Sequence, residues 1–158
     1  MTYREQFDLT GRVAVITGGA GLLGPEHAIA LVQAGATVVI TDINGAAADE
    51  TAERLGREYG AERFMAMPMD VADPDSVART REALLKRFGK INILVNNAAI
   101  DPKVKADSLV ETSRLEHFPL EQWDFQIRVG LTGAMLCSQA FGGWMAANGG
   151  GVVLNIAS

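Results

Sequence analysis

The chemistry-bearing residues of this chain gather at the ends of short apolar runs. The first run, Val13 to Thr17, leads into Gly18-Gly19-Ala20-Gly21-Leu22-Leu23-Gly24 and then a helical pattern. Gly19, Gly21 and Gly24 have the G-x-G-x-x-G spacing: one glycine for a tight turn, one for close approach of the backbone to a pyrophosphate, one for packing of the helix. A helix starting there presents unpaired N–H groups and a partial positive charge to phosphate oxygens. Asp42 closes the second apolar run, roughly 20 residues beyond the loop, where a carboxylate can accept both hydroxyls of an adenosine ribose. A 2′-phosphate beside it would be repelled, and no Arg or Lys lies in the loop or directly after Asp42. The spacing therefore points to NAD over NADP as cofactor. The plainer alternative for Asp42 is a solvated strand-end acid.

Other polar residues carry weaker signals. The single cysteine, Cys137, excludes an internal disulfide and sits in the apolar stretch LCSQAF, which suits a buried small hydrophobe better than a nucleophile. It also fits a reducing, cytoplasmic compartment. His27, just after the glycine loop, reads as a surface or packing residue. His117 lies in a long irregular segment and no Cys or acid stands at metal spacing from it, so no metal site is expected. Lys103 and Lys105 in the same segment suit a solvated loop face, with an anionic substrate as the other reading. Trp123, Phe125 and Trp144 read as core or subunit-interface aromatics.

Short β-branched runs at 13–17, 37–41, 63–69, 91–95 and 151–157 have the texture of strands buried on both faces. Helical patterns at 25–35, 45–60, 74–89 and about 120–146 alternate with them. Asn44 and Asp73 stand as N-caps, Pro74 at a first helical position, and Gly35 and Gly89 as stops. This alternation predicts a parallel sheet with right-handed crossovers, an open doubly wound α/β fold. The segment 100–119 follows the fourth strand, where such sheets place ligand-contacting loops.

The chain has 158 residues, enough for one domain with a sizeable core, and neither repeat nor linker divides it. An apolar fraction of 48% against 21% charged residues describes an ordinary globular protein. Net charge −5 without a basic cluster argues against a nucleic-acid partner. The start, MTYREQFDLTGR, has no apolar core and reads as neither signal peptide nor anchor. No stretch reaches the roughly 18 apolar residues of a membrane span.

Five stretches in order resemble the short-chain dehydrogenase/reductase family. TGGAGLLG (17–24) stands where that family has its glycine motif, and MDVAD (69–73) matches its acid-containing adenine contact. NNAA (96–99) is similar to its Asn-Asn-Ala-Gly signature, EQWDFQIRVGLTG (121–133) to its fourth-helix region, and VVLNIAS (152–158) to the fifth strand ending on the active-site serine. The resemblance runs from about Leu9 to Ser158. It implies a Rossmann-like sheet and an NAD site built from Gly18, Gly21, Leu23, Gly24, Asp42, Asp70, Val71, Asn97 and Ala98, with Ser158 as catalytic residue. It also implies hydride exchange with a secondary alcohol or sugar hydroxyl, and a homo-oligomer formed through the long helix, where Gly130, Gly133, Ala134 and Gly142 permit close approach. In the family a Tyr-x-x-x-Lys follows the serine. Neither Tyr3 nor Tyr59 has Lys four residues on. The expectation is therefore an N-terminal portion of the family fold, a sheet truncated after its fifth strand, inactive alone.

Three departures qualify the match. Leu22 replaces a glycine of the classical branch, and the spacing of Gly18, Gly21 and Gly24 is that of the extended branch, so the loop leaves the branch open; NNAA and the acid-Val pair favour the classical one. Ala99 replaces a glycine. Gly130 occupies the place of a helix-four Asn that belongs to the family's proton relay. Two function classes follow: an NAD-dependent alcohol or sugar oxidoreductase, or a non-catalytic nucleotide-binding or regulatory protein on the same fold.

Overall fold

The computed structural model describes residues 6–100 and 115–157 of the chain. Five strands, β1 (Val13–Thr17), β2 (Thr37–Asp42), β3 (Phe64–Pro68), β4 (Ile93–Asn96) and β5 (Val152–Asn155), form one parallel sheet in the order β3-β2-β1-β4-β5. The helices between them are α1 (Gly24–Gln33), α2 (Gly45–Tyr59) and α3 (Pro74–Phe88). After β4 comes a helical rod of three α segments, α4 (Leu120–Ile127), α5 (Gly133–Cys137) and α6 (Gly143–Ala147), joined by π-helical turns at Arg128–Thr132 and Ser138–Gly142. The fold is Rossmann-like, as the alternation of textures predicts.

Alternate residues of the central strands feed two cores, as the pleat requires. Val13 and Val15 of β1, with Val39 and Leu94, pack against Val77 and Leu84 of α3 and Cys137, Phe141 and Met145 of the rod. Ala14 and Ile16, with Val38, Ile40 and Val95, pack against Ala28 and Val32 of α1 and Ala48 and Leu55 of α2. Register fixes which side chains share a layer: Val15 pairs with Val39 on one side and Leu94 on the other.

Local signals act where the sequence places them. The Asn44 side chain accepts from Ala47 N at 3.2 Å, Asp73 accepts from Asp75 N at 2.9 Å, and Gly89 ends α3 in the left-handed region at φ 67°. Three expectations are corrected. Edge strands β3 and β5 are not buried on both faces: β3 is mostly half-buried and every residue of β5 is exposed. The rod is not one regular α-helix. Nor do all its small residues face outward: a Cβ on Gly133 would lie 2.7 Å from Val71 Cγ2, and one on Gly142 would lie 3.5 Å from Val153 Cγ2, so both face the chain's own sheet side.

Candidate functional site

β1 has β2 on one side and β4 on the other, so the connections leaving β1 and β4 diverge to opposite faces and open a crevice at the carboxyl ends of the strands. The glycine turn lies there. Gly18, at φ 59°, begins it, and a Cβ on Gly18 would stand 2.8 Å from the Ala98 Cα. Gly21 N donates to Gly18 O at 3.1 Å, and Gly19 N to Thr41 O at 2.9 Å. Gly24 is buried against the Gly19 backbone, with no room for any side chain, so its role is packing. Leu23 precedes α1 and offers no capping side chain. Gly21 and Leu23 are exposed.

From the β2 side, Asp42 accepts from Ala20 N at 3.2 Å through Oδ2 and from Asn44 N at 3.0 Å through Oδ1. From the β3 side, Asp70 Oδ1 accepts from Ala72 N at 2.8 Å while Asp70 N donates to Ser76 Oγ at 3.1 Å. Val71 is buried beside it. From the β4 side, Asn97 Nδ2 donates to Thr17 O and Gly18 O, both at 3.0 Å, and the Thr17 hydroxyl accepts from Asn97 N and Ala98 N. Both N–H bonds of the Asn97 amide are thus committed to the first residues of the turn, leaving its Oδ1 as the only side-chain group for a ligand.

Gly18, Asp42, Asp70, Val71 and Ala98 line one cavity of about 310 Å³. Arg128 and Phe125 of the rod reach the same cavity. Spacing arguments did not find Arg128, because the cation lies 86 positions from Asp42 in sequence (128 − 42) and only the packing of the rod brings it there. A cavity of this size sits at the small end of ligand sites and suits a nucleoside.

Asn96, marked in the sequence only as part of NNAA, ties three elements together. Its Nδ2 lies 2.8 Å from Asn155 Oδ1 in β5, 3.0 Å from Ser138 Oγ and 3.3 Å from Ala134 O in the rod. Its Oδ1 is buried and has no partner among the described residues. Cys137 is fully buried and burial pushes its thiol up to about 12, so it holds its proton and does not act as a nucleophile. His27 is half-buried, its Nε2 has no partner among the described residues, and it lines a separate cleft between α1, β4 and β5. His117 is exposed in a short 3₁₀ turn, Leu115–His117. Ser158, Lys103 and Lys105 lie outside the described residues.

The sequence profile of the short chain dehydrogenase family matches residues 12–158. The chain belongs to that family. It is 37% identical over 152 residues to a D-threitol dehydrogenase of Mycolicibacterium smegmatis, an alignment covering 96% of this chain and 54% of that protein. A gluconate 5-dehydrogenase from Burkholderia cenocepacia, solved in complex with NADP and tartrate, superposes with TM-score 0.85 at 33% identity, over 99% of this chain and 57% of that one. An NAD+-bound xylitol dehydrogenase superposes with TM-score 0.83 at 25% identity, over 95% and 54% of the two chains. The chain thus spans little more than half the length of these relatives.

Proposed function

We propose that this short chain dehydrogenase chain is the NAD-binding part of an oxidoreductase that moves hydride between a secondary alcohol or sugar hydroxyl and the corresponding ketone. The observation that carries the reading is a cavity at the crevice of the sheet, where Gly18 of the glycine turn, Asp42, Asp70 and Ala98 converge. Those residues fit a nicotinamide dinucleotide. Gly18 leaves no room for a Cβ beside Ala98, Leu23 leaves the α1 N-terminus uncapped, and each Asp42 oxygen can accept one more hydrogen bond from a ribose hydroxyl. When bound, the nicotinamide supplies the hydride acceptor or donor. The chain's own contribution is positioning: Asp42 takes the ribose, Asp70 and Val71 border the base, and Ser158 hydrogen-bonds the substrate oxygen. Sugar and polyol names among the relatives support a polyhydroxylated substrate class.

The solved relatives hold NADP in one case and NAD+ in the other, so membership alone leaves the cofactor open. Asp42 is the feature of this chain that favours NAD, by repulsion of a 2′-phosphate. Arg128, in the same cavity, is the group that would oppose it. Titration of the chain with both cofactors is the test: NAD should bind more tightly, and Asp42→Ala should reduce the preference by about 1–3 kcal/mol. Equal or tighter NADP binding overturns the assignment of NAD. The chain contains no Tyr-x-x-x-Lys.

A further inference from the structure

We infer that Asp42 is a positioning residue for the glycine turn: its carboxylate latches the turn after β1 to the connection after β2, and so fixes where the phosphate-facing N–H groups stand. The latch is visible without any ligand. Oδ2 accepts from Ala20 N at 3.2 Å in the middle of the turn, and Oδ1 accepts from Asn44 N at 3.0 Å, two residues beyond the strand. Among the described residues the turn has few other holds on this side. Gly19 N reaches Thr41 O, Gly21 N bonds back to Gly18 O within the turn, and Gly21, Leu22 and Leu23 are exposed. Asn97 grips only Thr17 and Gly18, at the other end.

Ionised acceptors make hydrogen bonds roughly twice as strong as neutral ones, so one carboxylate holding two backbone N–H groups is an effective clamp. It also leaves the carboxylate pre-oriented, with less side-chain freedom to lose when a ribose arrives. The consequence for binding rests on the dinucleotide reading proposed above; the latch itself does not. Two substitutions separate the roles. Asp42→Asn keeps the shape but has one oxygen and one NH2, so it can accept from only one of the two N–H groups. Asp42→Glu keeps the charge, and with it attraction for ribose hydroxyls, but carries the carboxylate one methylene beyond both donors.

The test is hydrogen–deuterium exchange over residues 18–24 of the ligand-free chain, followed by titration with NAD and with adenosine, which has ribose and base but no phosphate. Exchange over 18–24 should rise about ten-fold in both variants while β1 stays protected. In Asp42→Glu, NAD affinity should fall about ten-fold and adenosine affinity by a clearly smaller factor, because adenosine shares the displaced ribose contact but has no phosphate for the released turn to hold; equal losses for the two ligands would show that only the ribose contact was changed. Unchanged exchange over 18–24 in both variants overturns the latch. Should Asp42→Glu also lose protection in β1, the isosteric Asn variant decides by the same exchange readout. Failure of the unsubstituted chain to bind either ligand would sink the dinucleotide reading, with the exchange data still deciding the latch.

Discussion

At Gly18 a side chain would have to stand 2.8 Å from the Ala98 Cα on backbone held at φ 59°. Gly21, three positions on, has ordinary backbone, and a Cβ there would meet only Gly18 O, at 3.2 Å. The two glycines answer different needs, and their substitutions should separate. Gly18→Ala is expected to cost about 1–3 kcal/mol of stability through strain and contact. Gly21→Ala should cost less than about 1 kcal/mol, with weaker NAD binding as its main effect because it thickens the face a pyrophosphate approaches. Denaturant titration of the two variants checks the order; equal losses would refute it. Cys137 gives a second residue-scale expectation. Its thiol is raised by burial from 9.0 to about 12, so the folded chain keeps a proton that the unfolded chain releases. The contribution is fully present below pH 9 and is lost as pH rises through about 12, so stability should decline with pH across that window. Native chain should also resist thiol alkylation at pH 8, and labelling as fast as in denaturant would contradict the buried placement.

The rod shows why an element can be legible in place and illegible in kind. Its buried and half-buried face runs Val129, Gly133, Cys137, Phe141, Met145, a strict four-residue spacing. In an α-helix each four-residue step overshoots a turn by about 40°, and four steps would swing the stripe about 160° off the sheet. The two π turns absorb that drift, because they place more residues in a turn. The spacing was readable, but apolar texture alone announced only a helix. Strands, N-caps and the Gly89 stop were legible because each is a local choice of residue type. The tie made by Asn96 was not, since its partners Ala134, Ser138 and Asn155 lie 38, 42 and 59 positions away. For the same reason the sequence showed the glycine turn and Asp42 but not the latch between them or Arg128 in their cavity. Asn96→Ala should destabilise the chain by about 1–3 kcal/mol, the scale of a buried polar link removed. Amides of β5 should exchange faster than those of β1, whose partners β2 and β4 remain. Uniform acceleration across both strands would show that Asn96 is not a local tie.

For the whole molecule the two edges of the sheet are unequal. β3 ends at Pro68, which has no N–H to offer a new strand, and Arg63 at its start is tied to Ala36 O at 3.0 Å. β5 carries neither proline nor charge from Gly149 to Ile156, and Val152 and Leu154 are 60% and 48% exposed. One of its faces borders the cleft of about 690 Å³ shared with α1 and β4. Among the described residues no further strand lies beyond β5; such an apolar, uncharged edge is a template for another strand, and the simplest partner is β5 of a second copy in a two-fold pairing. The rod presents a second apolar surface: Trp123 and Leu131 stand exposed along it. Two independent two-fold contacts on one chain propagate, so the 158-residue chain should form species larger than a dimer at micromolar concentration. Leu154→Lys places a charge on the strand edge and should leave a dimer joined through the rod, while adding Leu131→Glu should leave a monomer. Sedimentation velocity over a concentration series reads all three states. A monomeric unsubstituted chain would remove both contacts, and a Leu154→Lys chain as large as its parent would show that β5 is not the edge that pairs.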